Sequence, residues 1–92
     1  MNALKTDKIK KSLTNKGFVE YDTHHCYFWL HVNGERKAIF TFYSHSAKEC
    51  GDPLLNHMAK QLKLSRRQFD ELIDCALSKE AYVKILRDND NL

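Results

Sequence analysis

Apolar residues recur at helical spacing near the start of the chain. Leu4, Ile9 and Leu13 form a rough stripe among strong helix formers over residues 5–16. Gly17 then offers the left-handed backbone conformation that commonly ends a helix. The pattern therefore predicts an N-terminal amphipathic helix whose other side carries lysines.

Three β-strands are predicted next, because runs rich in aromatic and β-branched residues follow one another. They cover residues 17–22, His24 to Val32, and Arg36 to Tyr43. Asn33-Gly34 separates the last two, and both of its residues tolerate positive φ. The pattern therefore indicates an antiparallel sheet that ends in a tight hairpin.

A two-residue hairpin loop also predicts which residues face one another across the last two strands. The expected pairs are Phe28 with Ile39, Trp29 with Ala38, and Tyr27 with Phe40. These pairs put apolar groups on both faces, so the pattern does not fix which face is the core. Tyr27 and Trp29 fit an aromatic pair packed beneath a helix better than a platform for stacking bases.

Helices are predicted in the second half, after a polar loop over residues 44–51. Asp52-Pro53 has the form of a helix start with aspartate as the cap. Ser65 to Gln68 has the form of a capping box, with Leu64 and Phe69 at the positions of a hydrophobic staple. Ser78 is expected to cap a last helix.

The element order indicates one α+β domain over residues 1–92, arranged α-β-β-β-α, with a three-stranded antiparallel sheet and helices on one face. The core is expected over about residues 5–76. An extra C-terminal helix over residues 77–88 is a candidate homodimer contact.

The composition changes this interpretation little. With 42% hydrophobic and 29% charged residues, the chain is typical of a soluble globular protein. No apolar run approaches the roughly 20 residues that cross a bilayer, so no membrane association is expected and the predicted location is cytoplasmic. Cys26, Cys50 and Cys75 do not form a CxxC motif, so we interpret them as packing residues in a reducing compartment.

The net charge of +3 is concentrated in the first half of the chain, because the second half balances to zero. Phosphate backbones attract a face of this kind, but a solvated lysine-rich helix has the same pattern. Nucleic-acid binding is thus one of two interpretations of the charge.

Histidines stand where the apolar runs begin and end. His24 and His25 open the second predicted strand, and His45 follows the third. Strand alternation would point His24 and His25 to opposite faces. His24 and Cys26 could share a metal, but no paired Cys/His spacing completes a site, so no metal or cofactor is expected.

Several segments follow one another in a recognisable order: Lys16-Gly17-Phe18-Val19, Thr23-His24-His25-Cys26-Tyr27, the Asn33-Gly34 turn, His45, Gly51, the helix through Leu62, and Leu64-Ser65. This ordered pattern resembles the HicA family of toxin mRNA interferases, whose fold is similar to a double-stranded-RNA-binding domain. The chain departs from the family pattern at two points: Asp22 stands where the family usually has glycine, and His45 is not preceded by the Pro-x that the family often has there.

The resemblance implies metal-independent cleavage of mRNA, with His24 as the catalytic proton-transfer group and a HicB-like antitoxin as partner. Phosphate or RNA contacts are expected from Lys8, Lys11, Arg36, Lys37 and His45. The alternative is a non-catalytic RNA- or protein-binding module of the same fold.

Overall fold

The computed structural model describes residues 3–92, which form four helices and two small antiparallel sheets. The elements in chain order are β1 Leu4–Lys5, α1 Thr6–Asn15, β2 Phe18–Asp22, β3 Cys26–Val32, β4 Glu35–Tyr43, β5 Glu49–Cys50, α2 Asp52–Gln61, α3 Arg66–Ile73 and α4 Lys79–Asp88.

The main sheet has the order β2-β3-β4, with both pairs antiparallel. This confirms the predicted α+β class and the three-stranded sheet. The second sheet joins β1 to β5 and was not predicted, because two short segments far apart in the chain carry no periodic pattern. Residues 44–51 are therefore not entirely loop.

The predicted register of the β3–β4 hairpin is wrong beyond its first pairs. The loop has the predicted two residues, and Val32 faces Glu35. A bulge then places one residue of β3 against residues 37–39 of β4. The observed pairs beyond the bulge are Trp29 with Phe40, Phe28 with Thr41, and Tyr27 with Phe42. The bulge adds two residues to β4, and side chains alternate between faces with a period of two. Each side chain of β4 therefore stays on its predicted face of the sheet, but its partner on β3 changes.

The helices pack on one face of the main sheet. Phe28, Leu30 and Val32 of β3 are buried with apolar residues from all four helices in one cluster. The predicted C-terminal extension belongs to this cluster, since Tyr82 of α4 is fully buried and stacks on Phe18 at 5.9 Å. The apolar side of α4 is thus used within the chain, and a homodimer through this helix stays a prediction.

The helix boundaries follow local chemistry, with one correction. Ser65 and Gln68 form the predicted capping box, and Ser78 caps α4 by accepting from the Ala81 amide at 3.1 Å. Asp52 does not cap α2. It is the first helical residue, and the cap position belongs to Gly51, which has no side chain to accept a hydrogen bond.

Candidate functional site

The face of the main sheet that points away from the helices is lined by aromatic rings. Side chains alternate across each strand, so residues next to the buried ones point outward. We call this set the aromatic face; it consists of Tyr21, His25, Tyr27, Trp29, His31, Phe40 and Phe42. None of its members belongs to the hydrophobic core cluster of residues 3–92.

The rings of the aromatic face contact one another in a continuous series. Trp29 stacks on Phe40 with centroids 4.3 Å apart and planes 18° apart. Tyr27 lies 5.2 Å from Phe42, and His25 lies 5.3 Å from the same ring. These distances are typical of aromatic pairs. The rings therefore hold one another in place without a covering helix.

One cation lies directly on these rings. The Arg36 guanidinium carbon is 4.7 Å from the centroid of Trp29 and 5.9 Å from that of Tyr21. A guanidinium over aromatic rings is stabilised by the ring quadrupole and keeps its hydrogen-bond donors available. Lys37, the next predicted RNA contact, is paired with Glu35. Of the predicted cations, Arg36 is the one that joins the aromatic face.

The aromatic face is accessible to a ligand. Val19 and Tyr21 at its β2 edge are 42% and 36% exposed, and the inner rings are half-buried by one another. Contiguous apolar surface of this kind usually marks an interaction site. The prediction that Tyr27 and Trp29 pack beneath a helix is wrong, because the helices cover the opposite face. Aromatic residues at alternate positions of both strands were the sequence feature that indicated this face.

His24 lies in the turn between β2 and β3 rather than in a strand, because β3 begins at Cys26. Strand alternation therefore does not separate His24 from His25, and their rings are 6.0 Å apart. His24 is exposed, while His25 joins the aromatic face. The imidazole of His24 is thus presented to solvent beside one end of that face.

His45 is held at the same end of the sheet but on the helix side. Its Nε2 lies 2.6 Å from the Thr23 carbonyl oxygen and 3.1 Å from an Asp22 carboxylate oxygen. Its Nδ1 lies 3.5 Å from the Cys26 sulfur. The donor atoms of Asp22, Cys26 and His45 are all within 4.8 Å of one another. We call these three side chains the end cluster.

The end cluster borders an open groove formed with α1 and the segment after β4. Lys10, Glu20 and Tyr43 also line this groove. Partial burial, together with the charges of Asp22 and Glu20, raises the pKa of the Cys26 thiol. Burial likewise raises the pKa of Tyr43. The charged residues that line the groove balance, with three lysines against three carboxylates: Lys5, Lys10 and Lys48 against Asp7, Glu20 and Glu49. Sequence patterns did not predict the end cluster, because the bulge in β4 determines where His45 lies.

The predicted site residues do not form a single surface. Lys8 and Lys11 lie on α1, which packs on the side of the sheet opposite the aromatic face, and Lys8 forms a 2.7 Å ion pair with Asp74. His24 and Arg36 lie at the turn end and on the aromatic face respectively. The structure brings His45 to Cys26 and Asp22 instead of bringing His24 to Cys26.

No protein-family model, no curated protein and no solved structure was found to match this chain. Among residues 3–92, no helix combines the length and apolar character that a bilayer crossing requires. The features of residues 3–92 that bear on function are the aromatic face, the turn at His24 and the end cluster.

Proposed function

We propose that this protein binds single-stranded RNA on its aromatic face. The observation that carries the proposal is the continuous series of outward rings with the Arg36 guanidinium lying over Trp29 and Tyr21. Unpaired bases of any type can stack on aromatic rings, and each stacked base contributes about 1–3 kcal/mol to the binding free energy. Arginine adds a donor for phosphate beside the stacked bases.

The succession of paired rings on the face favours an unpaired strand over a duplex. The rings of Trp29 and Phe40 form one step, and those of Tyr27 and Phe42 form the next. An extended strand can place successive bases on such steps, whereas duplex bases are already stacked on one another and offer only their edges and backbone. We therefore expect preference for loops, ends and single strands.

Binding is tested with fluorescently labelled single-stranded RNA and, as a comparison, the same sequence as a duplex. Anisotropy should rise with the single strand, and emission from Trp29, which is the chain's one tryptophan, should be quenched. Tyr27→Ala should weaken binding about tenfold or more, because a stacking ring is lost. Thermal unfolding of each variant checks that the fold is intact.

A pair of cation variants tests which side of the molecule meets the RNA. Arg36→Ala removes the cation on the aromatic face, and Lys11→Ala removes an exposed cation from α1 on the other side. We expect a large loss of affinity only for Arg36→Ala. Equal losses would move the contact to the helix side. Absence of RNA binding would reject the proposal and leave a protein ligand as the occupant of the aromatic face.

The second candidate function is cleavage of the bound strand by a HicA-like mRNA interferase acting in the cytoplasm, with a HicB-like antitoxin as its partner. The observation that favours it is the exposed His24 imidazole next to His25, which is itself part of the aromatic face. A strand stacked on the rings would pass this turn, where a positioned imidazole can transfer the proton of a 2′-hydroxyl.

Cleavage is tested by incubating the wild-type protein and His24→Ala with labelled RNA in the presence of a chelator. Wild type should cut, and His24→Ala should be slower by about 10²–10⁴-fold with unchanged RNA affinity. His57→Ala, at an exposed position on α2, is the matched control and should cut normally. Equal cleavage by wild type and His24→Ala would remove the role of His24 without affecting the binding proposal.

A further inference from the structure

We propose that the end cluster of Asp22, Cys26 and His45 binds a zinc ion. The three side chains come from the two ends of the β2–β3 turn and from the segment after β4, and their donor atoms lie within 4.8 Å of one another. A carboxylate oxygen, a thiolate sulfur and an imidazole nitrogen are the three side-chain ligand types that zinc uses in proteins. This inference is independent of RNA binding.

The hydrogen bonds of His45 determine which of its nitrogens can bind the metal. The Thr23 carbonyl oxygen can only accept a hydrogen bond, so Nε2, at 2.6 Å from it, carries the proton. In the neutral imidazole, Nδ1 then has the free lone pair, and it lies beside the Cys26 sulfur. A backbone carbonyl that receives the other ring N–H is a common partner of a metal-bound histidine, because it fixes the tautomer and the ring orientation.

The spacing between these two donors also matches zinc. Tetrahedral coordination with Zn–N and Zn–S bonds of about 2.0 and 2.3 Å places the nitrogen and sulfur about 3.5 Å apart. The observed distance from His45 Nδ1 to Cys26 Sγ is 3.5 Å. The two donors thus need little rearrangement. The Asp22 carboxylate lies 3.1 Å from Nε2, so it has to change its side-chain rotamer to reach a metal held at Nδ1.

Three protein donors leave a fourth coordination position. The groove that Cys26 and His45 border, with Lys10 and Glu20, is where a water or another small ligand would complete the tetrahedron. Zinc at this point would also join the β2–β3 turn to the segment after β4. Binding is thus expected to stabilise the folded chain increasingly as the metal concentration rises.

The site is tested on the full chain with a non-thiol reductant, first with Co²⁺ as a spectroscopic probe and then with Zn²⁺ in competition. We expect one equivalent of Co²⁺ to give a thiolate-to-cobalt charge-transfer band and tetrahedral d–d bands, both removed by one equivalent of Zn²⁺. Zn²⁺ should also raise the thermal midpoint. No RNA is present, so failure of this test and failure of RNA binding are separate results.

Variants identify the ligands. Cys26→Ser should abolish the charge-transfer band, and His45→Gln and Asp22→Asn should each weaken Zn²⁺ binding at least about tenfold. Cys75→Ser and His57→Gln, at exposed positions outside the cluster, should bind as wild type does. Asp22 is exposed, so Asp22→Asn remains informative if another variant fails to fold. Absence of the band in wild type, or its persistence in Cys26→Ser, would overturn the proposal.

Discussion

Tyr82 shows how a single polar atom is accommodated in the core. The side chain is fully buried, and its hydroxyl donates a 2.9 Å hydrogen bond to the Leu62 carbonyl at the end of α2. This bond ties α4 to α2 and satisfies a carbonyl that the helix cannot pair. Burial also raises the pKa of the Tyr82 hydroxyl, because the phenolate would have to form away from water.

We predict that Tyr82→Phe lowers the free energy of unfolding by about 1 kcal/mol at neutral pH, because a buried hydrogen bond is lost. In wild type, the raised pKa of Tyr82 means that the unfolded state releases this proton first. The protonated Tyr82 hydroxyl therefore contributes its full stabilisation below about pH 10. As pH rises further, the free energy of unfolding declines by up to about 1.4 kcal/mol per pH unit. Urea unfolding between neutral and alkaline pH measures both effects.

Tyr82→Phe should accordingly show a weaker decline in stability at high pH than wild type. Tyr21→Phe, at an exposed position on β2, is the matched control and should keep both the neutral stability and the alkaline decline of wild type. A decline of the same steepness in wild type and Tyr82→Phe would contradict the assignment to Tyr82.

At the scale of elements, glycine ends one helix and begins another for different reasons. Gly17 follows α1 at φ +91°, and a Cβ there would meet the tip of the Lys79 side chain at 2.7 Å. Gly51 precedes α2 at φ −83°, and a Cβ there would lie 3.9 Å from its nearest neighbour, a carbon of Pro53. Only the first position requires glycine.

The same substitution should therefore have opposite effects at the two positions. Gly17→Ser should destabilise the protein by about 1–2 kcal/mol, because a residue with a Cβ is strained at positive φ. Gly51→Ser should stabilise it by roughly a few tenths of a kcal/mol, since serine supplies the missing cap of α2. Thermal and urea unfolding of both variants measure these changes. A loss of stability in Gly51→Ser would show that α2 does not need this cap.

Most elements whose causes are local were predicted correctly, although the cap position of α2 belongs to Gly51 and not to Asp52. The capping box at Ser65, the cap at Ser78 and the Asn33-Gly34 turn depend on a few adjacent residues, and the structure confirms each. The bulge in β4 depends instead on how the whole strand packs, and no pattern within it predicts two additional residues. In the predicted register, Cys26 faces Thr41; in the observed one it faces Tyr43, which brings His45 closer. The end cluster was missed for this reason.

At the scale of the whole molecule, the basic character of the chain is largely compensated. Lys8 pairs with Asp74, Lys10 lies 3.3 Å from Glu20, and Lys37 pairs with Glu35. Lys16 is buried and donates to the Leu72 carbonyl at 3.0 Å. The net charge of +3 in the sequence therefore does not make α1 a strongly cationic surface, and stacking on the aromatic face is a more direct basis for RNA binding than charge.

One face of the main sheet packs on the helices and the other is the aromatic face. The sequence alone did not determine which set of alternating residues lies on which face. Both sets of alternating residues in β3 are largely apolar or aromatic, so binary patterning is ambiguous there. The helices settle the choice, because their aliphatic stripes pack on Phe28 and Leu30. His24 was expected to open the second strand of the sheet. The structure places it in the preceding turn, because that strand begins at Cys26.

The short β1–β5 pair has a consequence for motion. It consists of two residue pairs, and Thr6 reinforces it by donating to the Ala47 carbonyl, 41 positions along the chain, at 3.2 Å. The outer pair of this ladder, Lys5 with Glu49, is exposed and depends on few backbone hydrogen bonds, whereas Cys50 of β5 is fully buried in the core. Local opening should therefore begin here, and amide hydrogens of these residues should exchange before those of the main sheet. Because Lys5 and Glu49 line the groove, local opening of this pair would admit larger molecules to the groove while the core stays folded.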